Sequence, residues 1–501
     1  MSKPRNYLFT SGAPTPNGRL HVGHIGAQFL KLDVLKRHVR RAGDGATLLF
    51  SVDAFDTPIY LAARRQGVTE EEVCRRNIDG ITRDLEYVAI DYDVFLDTSV
   101  GAGRDLIRQT AVELDDLVAA RKVAVEEKVP YSRRTGEPVT GRLLTGECPS
   151  CARTMHGYVC DPCGLQLSPD QIRNARAADP TDSLDWRAVT NHFVRIDTRE
   201  LLDYVGSLPL PAVTRRKADA IASMLLTDEH FLVRWTASEP WGIGTGVPGQ
   251  VYFNRLLVTL AEQIPFGEIT KEKLGLRHNP FDRDSGVVTV LAYGVDNLGG
   301  RLIENTALAL ATDRYRPFDH HLVSEFYRND GEKMATSGSN ALWVADVADL
   351  TGFSRDGLRA YMASIATPDV EVDVSLPDLT RFMRSVTGRL GRVVALALSA
   401  AVGAGTRIGP EVLAVAERGL DRQSTALDLT HVDLPAAWRT TEEWIHRALS
   451  SSAEDRYATL ACFAVIASPI APDAAGTVWR LLGREGAPDR TSLRRLANGG
   501  V

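Results

Sequence analysis

Apolar positions in the first 120 residues fall into two kinds of run. Short unbroken stretches at residues 7–12 and 47–52 read as buried strands. Residues 24–41, 70–85 and 104–120 instead carry apolar side chains at helical spacing, and the first of these stretches stops at Gly43. Strands alternating with helices predict an α/β chain whose parallel sheet is doubly wound, with helices on both faces. The rhythm breaks from about residue 121 to 220. Turn-rich segments such as Arg133-Arg134-Thr135-Gly136-Glu137-Pro138 and a group of cysteines stand there. A strand-like run returns at 287–293. From about residue 348 Ala, Leu and Arg recur at helical spacing, as over 378–402 and 454–482, with a Gly/Ala stretch at 400–405 that reads as a loop between helices. The expected organisation is a first half of the sheet domain at 1–120, an insertion at 121–220, a second half at 221–347 and an all-α domain at 348–501.

Composition adds limits. The 501 residues, 44% hydrophobic and 24% charged, suit a globular chain of several domains. No run of eighteen apolar residues stands out, and the first residues lack the apolar stretch of a secretory signal, so no membrane association and a cytoplasmic location are expected. A net charge of -6 argues against a general nucleic-acid binder, though a local basic face would suffice for an RNA. Six cysteines are too few for a disulfide scaffold.

Chemistry enters at Pro14-Thr15-Pro16-Asn17-Gly18-Arg19-Leu20-His21-Val22-Gly23-His24, between the first strand and the first helix. Glycines there let the backbone approach a phosphate, and a helix N-terminus offers free N–H groups and a positive dipole end. His21 and His24, three apart, share one face of the first turn and can donate to phosphate oxygens as negative charge develops. The segment resembles the first signature of class I aminoacyl-tRNA synthetases, and the nearest likeness is to the methionyl-tRNA synthetase family. That resemblance makes the expected sheet domain a Rossmann-like nucleotide-binding domain, with Gly18 and Gly23 at the ATP. Asp53-Ala54-Phe55-Asp56-Thr57-Pro58 resembles the family's Asp-x-x-Gly-Thr-Pro, which implies that Asp53 holds a substrate α-ammonium; Asp56 replaces the family's glycine. Tyr293-Gly294-Val295-Asp296 resembles the Gly-x-Asp whose carboxylate takes the ATP ribose. Gly331-Glu332-Lys333-Met334-Ala335-Thr336-Ser337 resembles the Lys-Met-Ser-Lys-Ser loop that closes on the triphosphate. Lys333, Met334 and Ser337 match, and Thr336 replaces the second lysine. Loss of one such donor is worth roughly 3 kcal/mol, about a hundredfold in rate. ATP with Mg²⁺ is the implied co-substrate.

Cys148-Pro149-Ser150-Cys151 and Cys160-Asp161-Pro162-Cys163 form two Cys-x-x-Cys knuckles with a short spacer. Four thiolates leave no open position, so Cys148, Cys151, Cys160 and Cys163 predict a structural Zn²⁺. Methionyl enzymes often carry such knuckles in their connective insertion. Cys74 and Cys462 lie in helical patterns and read as core.

Departures from the family cluster where the amino-acid side chain should sit. Arg255 falls at the family's tryptophan, Arg301 at its histidine, and Thr15, two residues after Ala13, at its tyrosine. Thr236-Ala237-Ser238, ahead of Trp241-Gly242, replaces Ser-Arg-Asp. Paired arginine donors suit a carboxylate better than a thioether, so Ala13, Thr15, Asp53, Arg255 and Arg301 are expected to frame a polar or acidic amino acid such as glutamate. The helix expected near 375–392 carries Arg381, Arg384, Arg389 and Arg392 but lacks the asparagines with which the family reads an anticodon. The expected function is ATP-dependent formation of an aminoacyl adenylate, with His21, His24 and Lys333 catalytic. The acyl group would pass to a non-tRNA acceptor in specialised (natural product) metabolism, such as an N-hydroxylated amine in a hydrazine-forming pathway, with a separate cupin partner. A working methionine–tRNA ligase and a non-catalytic nucleotide-binding paralogue are the alternatives.

Overall fold

The computed structural model describes residues 4–160, 163, 165–334, 340–351, 354–400 and 408–498. Its centre is a five-stranded parallel sheet of β1 (Asn6–Ser11), β2 (Gly45–Ser51), β3 (Val94–Leu96), β4 (Val288–Gly294) and β5 (His320–Ser324), in the order β5-β4-β1-β2-β3. Tyr7–Ser11 and Ala46–Ser51 are buried throughout, which is why these strands read as unbroken apolar runs. From β1 the chain moves one way to β2 and β3, then crosses to β4 and β5. The carboxyl ends of β1 and β4 therefore flank a switch point, where an open α/β sheet leaves a crevice for ligands.

The first crossover runs as one helical rod through Val22–His24, a π turn at Ile25–Phe29 and Leu30–Arg41. It starts two residues before the periodicity suggests, because His21 caps it. The other early helices, Glu70–Tyr87 and Gly101–Leu117, match the sequence pattern closely.

The segment between the sheet halves is more regular than its turn-rich sequence suggests. Lys122–Ser132 pairs antiparallel with Leu184–Asp197 over eleven positions, and His230–Arg234 adds a third strand. Residue 220 lies inside the helix Ala212–Leu225, so this sheet is completed only beyond it. Between the long strands, Leu144–Glu147, Thr154–His156 and Arg173–Ala177 form a small sheet around the cysteines, with its own core of Val139, Leu144, Met155 and Ile172. Buried Arg234 joins the strands, donating to both oxygens of Glu127 at 2.7 and 2.6 Å.

The C-terminal part is helical: Arg355–Ile365, Leu376–Ala400, Pro410–Ala426, Leu434–Leu449, Arg456–Ala467 and Pro472–Leu481 pack together. The periodic stretch over 454–482 is two helices, broken around Pro469 and restarted with Pro472 at the first turn. The expected loop at 400–405 lies outside the described residues beyond Ala400. Two arginines dock this bundle on the sheet domain. Arg359, with no exposed side chain, donates to Asp33 at 2.6 Å and to the carbonyls of Pro469 (2.7 Å), Ile470 (2.9 Å) and Val88 (3.0 Å). Arg41 donates to Gln423 and to the carbonyls of Val465 and Ile466. Among the described residues no helix is long and apolar enough to cross a membrane.

Candidate active site

A cleft of about 370 Å³ opens at the switch point, lined from both sheet halves and from the insertion. His24 lines it, and His21 and His24 cap their own helix reciprocally. His24 N–H donates to His21 Nδ1 at 3.3 Å, and His21 N–H donates to His24 Nδ1 at 3.4 Å. Each Nδ1 is thereby an acceptor, which leaves Nε2 as the protonated nitrogen of each neutral ring. Burial keeps both neutral, lowering His24 to about 4 and His21 to about 2, where the adjacent His24 and Lys333 also contribute. The rings stack at 3.7 Å. Gly23 has no room for a side chain: a Cβ would come within 2.9 Å of both the His21 ring and Tyr327. Gly18 lies half-buried in the preceding turn. The motif is also held from outside, as Val22 N–H donates to the Leu342 carbonyl and His21 bridges to Trp343.

Asp53 stands beyond β2 and accepts from Asn254 Nδ2 at 2.9 Å. Burial first, and then the neighbouring Asp56, push its carboxyl up to about 8. The Asn254 hydrogen bond and the Arg301 charge act in the opposite direction without overcoming burial. Gly294 ends β4, and Asp296 follows in the short turn Val295–Asn297. The Lys333 ammonium lies 3.4 Å from Asp296 and 3.7 Å from the centre of the Phe326 ring. Asn340 donates to the Lys333 carbonyl at 2.8 Å, tying together the two ends of the segment between them. Thr336 and Ser337, expected at the triphosphate, lie outside the described residues.

Ala13, Thr15, Arg255 and Arg301 all line the cleft. Their charge is partly met within the protein. Arg255 donates to buried Glu304, and Gly300 makes room for that pair, since a Cβ there would sit 2.6 Å from the guanidinium. Arg301 starts from a second π turn, Gly299–Glu304, and donates to the Val258 carbonyl. Burial lowers its basicity, against the pull of Glu262 and Asp53.

The insertion forms the remaining wall through Gly141, Arg142, His156, Tyr158 and Val159. Arg142 N–H donates to Thr57 Oγ1 at 2.9 Å, joining that wall to the turn after Asp53. Val159 precedes Cys160. The Cys148–Cys163 and Cys151–Cys160 sulfurs lie 3.7 and 3.6 Å apart, and all four ligand atoms fall within 4.8 Å of one another. A tetrahedral ion with Zn–S near 2.3 Å sets sulfurs about 3.8 Å apart, so this donor set fits zinc. Cys74 and Cys462 are buried core residues, as expected.

A family model described as tRNA synthetases class I (M) matches residues 7–386, well over half of the chain. The chain belongs to that family. Among curated synthetases, the methionine–tRNA ligase of Thermococcus onnurineus is 25% identical over 420 residues, covering 78% of this chain and 56% of that protein. The ligase of Thermoplasma volcanium is 25% identical over 390 residues, covering 75% and 70%. This synthetase chain thus spans little more than half the length of the first of these relatives. A solved structure of Mycobacterium tuberculosis methionyl-tRNA synthetase in complex with methionyl-adenylate superposes with a TM-score of 0.70 over 99% of this chain and 96% of that one, at 18% identity. The likeness is one of fold.

Several cleft residues of this synthetase fold went unnoticed in the sequence: Gln28, Asn254, Glu239, and the insertion residues Arg142, His156 and Tyr158. Gln28 is five residues past the signature glycine, and Asn254 directly precedes the substituted Arg255. The insertion residues carry no signal beyond their nearness to the cysteines.

Proposed function

We propose that this chain activates an α-amino acid with ATP. The amino-acid carboxylate oxygen bonds to the α-phosphorus, the bond from that phosphorus to the bridging oxygen breaks, and pyrophosphate leaves with its Mg²⁺. His21 and His24 would donate Nε2–H groups to the phosphoryl oxygens, Lys333 would neutralise the leaving group, Asp296 would hold the ribose and Asp53 the α-ammonium. The amino acid is polar or acidic, with glutamate as the simplest case. The acyl group then passes to a small amine or hydroxylamine, as in a hydrazine-forming pathway of specialised metabolism, with AMP leaving. A separate cupin partner and a cytoplasmic setting belong to this reading.

The observation that carries it is the character of the side-chain pocket. Arg255, paired with Glu304, and Arg301, which donates to the Val258 carbonyl, both line the cleft, and a thioether would favour an apolar wall instead. Family membership favours a second reading, a methionine–tRNA ligase. Amino-acid-dependent ATP–pyrophosphate exchange decides between them. Exchange with glutamate or another polar amino acid supports the first reading, and exchange with methionine alone supports the second. No exchange with any common amino acid would count against both.

A further inference from the structure

Glu239 is a deeply buried acid of the cleft that holds nothing among the described residues. It is 9% exposed, lines the cleft, and makes no hydrogen bond or ion pair to a described residue. Its surroundings are built rather than loose. The preceding Ser238 carbonyl accepts from Thr140 Oγ1 at 3.1 Å and from the Tyr158 hydroxyl at 3.4 Å, both on the insertion. Two residues on, Trp241 Nε1 donates to the Ala54 carbonyl at 2.8 Å. The Glu239 backbone is thus clamped between the metal-knuckle wall and the turn after β2. The charged and titratable groups around its carboxyl are Asp56 and Asp53 from that turn, Arg234 from the third strand of the insertion sheet, and the Tyr158 hydroxyl. Arg234 is already engaged by both oxygens of Glu127. Burial first, then Asp56, push the Glu239 carboxyl up to about 8, with Arg234 pulling the other way. A carboxylate of ordinary acidity is a poor proton acceptor at neutral pH, and one raised this far is a good one.

We propose that Glu239 is the general base of the acyl-transfer step, taking the proton from the N–H or O–H of the acceptor as that atom attacks the adenylate. The inference rests on the adenylate-forming reading of the cleft, and on the identity of neither the amino acid nor the acceptor. One carbon separates the α-ammonium assigned to Asp53 from the acyl carbon, and Glu239 lies within the electrostatic reach of Asp53. The attacking nitrogen or oxygen bonds to the acyl carbon, the bond from that carbon to the phosphate oxygen breaks, and AMP leaves with the electron pair. The proton passes to a Glu239 carboxylate oxygen, and from there to water as the products depart. The other polar groups of the site are engaged. Each histidine Nδ1 is taken by the other residue's N–H, and Nε2 carries a hydrogen. Lys333 pairs with Asp296, Asp53 serves the α-ammonium, and Asp56 accepts from the Thr57 N–H at 2.7 Å as a helix cap.

The test supplies the adenylate, so that transfer is read apart from activation. Chemically prepared glutamyl and methionyl adenylates are each mixed with the protein and hydroxylamine, and hydroxamate formation is measured against the same adenylate without protein. Wild-type pyrophosphate exchange tests the adenylate-forming reading, and discharge of the supplied adenylate tests Glu239. Hydroxylamine is already unprotonated above neutral pH, so its own titration stays out of the profile. Wild-type discharge should rise with pH through about 8, as the Glu239 carboxylate form appears. Glu239→Gln, with unchanged circular dichroism, should lose about a hundred- to ten-thousandfold of the protein-dependent rate, together with that rise. In Glu239→Ala, added formate should restore part of the rate, because a small free carboxylate can enter the space and accept the proton. A merely structural role leaves nothing for formate to restore. Undiminished discharge in Glu239→Gln, a wild-type rate that falls as pH rises, or a Glu239→Ala variant that formate does not revive overturns the proposal. So does a wild-type protein that accelerates the discharge of neither adenylate, and exchange then shows whether activation fails as well.

Discussion

Replacing Arg359 by methionine should loosen the helical bundle from the sheet domain at a calculable cost. The substitution keeps much of the side-chain volume and removes every donor. Asp33 retains Arg37 Nε at 2.9 Å and the Asp91 N–H at 2.8 Å, so its charge is not left alone. The carbonyls of Val88, Pro469 and Ile470 lose the donors they share in this interface. Each of the three buried carbonyls left unpaired costs about 1 kcal/mol or more, and because Asp33 keeps two other donors the full penalty of a stranded buried charge is not added, so a total of about 3–5 kcal/mol is expected. That is a large part of the about 5–15 kcal/mol by which folded chains are stable. Urea unfolding should be followed by circular dichroism and by the fluorescence of Trp438, Trp444 and Trp479, all buried in the bundle. The fluorescence transition should move to lower urea and separate from the other. In a cycle with Asp33→Asn, the double variant should lose less than the sum of the two singles. A shift worth less than about 1 kcal/mol would refute the view that this arginine fastens the two parts together.

Other expectations concern the site. His24→Ala should abolish adenylate formation, read as pyrophosphate exchange, with the fold and bound zinc intact; undiminished exchange would remove His24 from the chemistry. Chelation of the metal, or Cys160→Ser, should expose the segment around Tyr158 to proteolysis and weaken substrate binding, while circular dichroism shows the parallel sheet retained. Burial raises Glu262 to about 7 and Glu239 to about 8. A carboxyl with a raised folded value contributes stability that is complete below its ordinary value and is lost as pH rises through the folded one. The ligand-free protein should therefore melt at a lower temperature at pH 8.5 than at pH 6, and Glu262→Gln should narrow that gap. Half-buried His24 and His38 and buried His321, lowered to about 4, about 3 and about 3, contribute stability above their ordinary range that fades as pH falls through these values, giving a second decline in acid.

The sheet and the helix start that carries the two histidines were legible because each depends on local sequence. β1 and β2 are buried on both faces and so must be apolar without interruption, and the histidine pair needs only a helix start. The long hairpin of the insertion was not legible. Lys122–Ser132 and Leu184–Asp197 expose many charged side chains, and paired residues run from Ser132 with Leu184 to Lys122 with Val194, with the cysteine sheet between. Arg255 and Arg301 were found by their departure from a pattern, and both do line the cleft. What the pattern could not reveal is that Glu304 already answers Arg255, because that pairing exists only once the second π turn is folded. Glu239 was overlooked for a similar reason. A glutamate before a proline usually lies in solvent, and only the clamps at Ser238 and Trp241 bury this one.

The pairing of β1 with β4 also sets a timetable for synthesis. Tyr7 faces Val288 and Ser11 faces Ala292, so one neighbour of the central strand is translated some 280 residues after it. At about 5–20 residues per second, β1 waits roughly 15–55 s on the ribosome with one apolar edge unpaired. Only its other edge is covered early, by β2. The nascent chain should accordingly be a client for holding chaperones until β4 emerges, and nascent chains halted before residue 288 should aggregate more readily than those halted after residue 324.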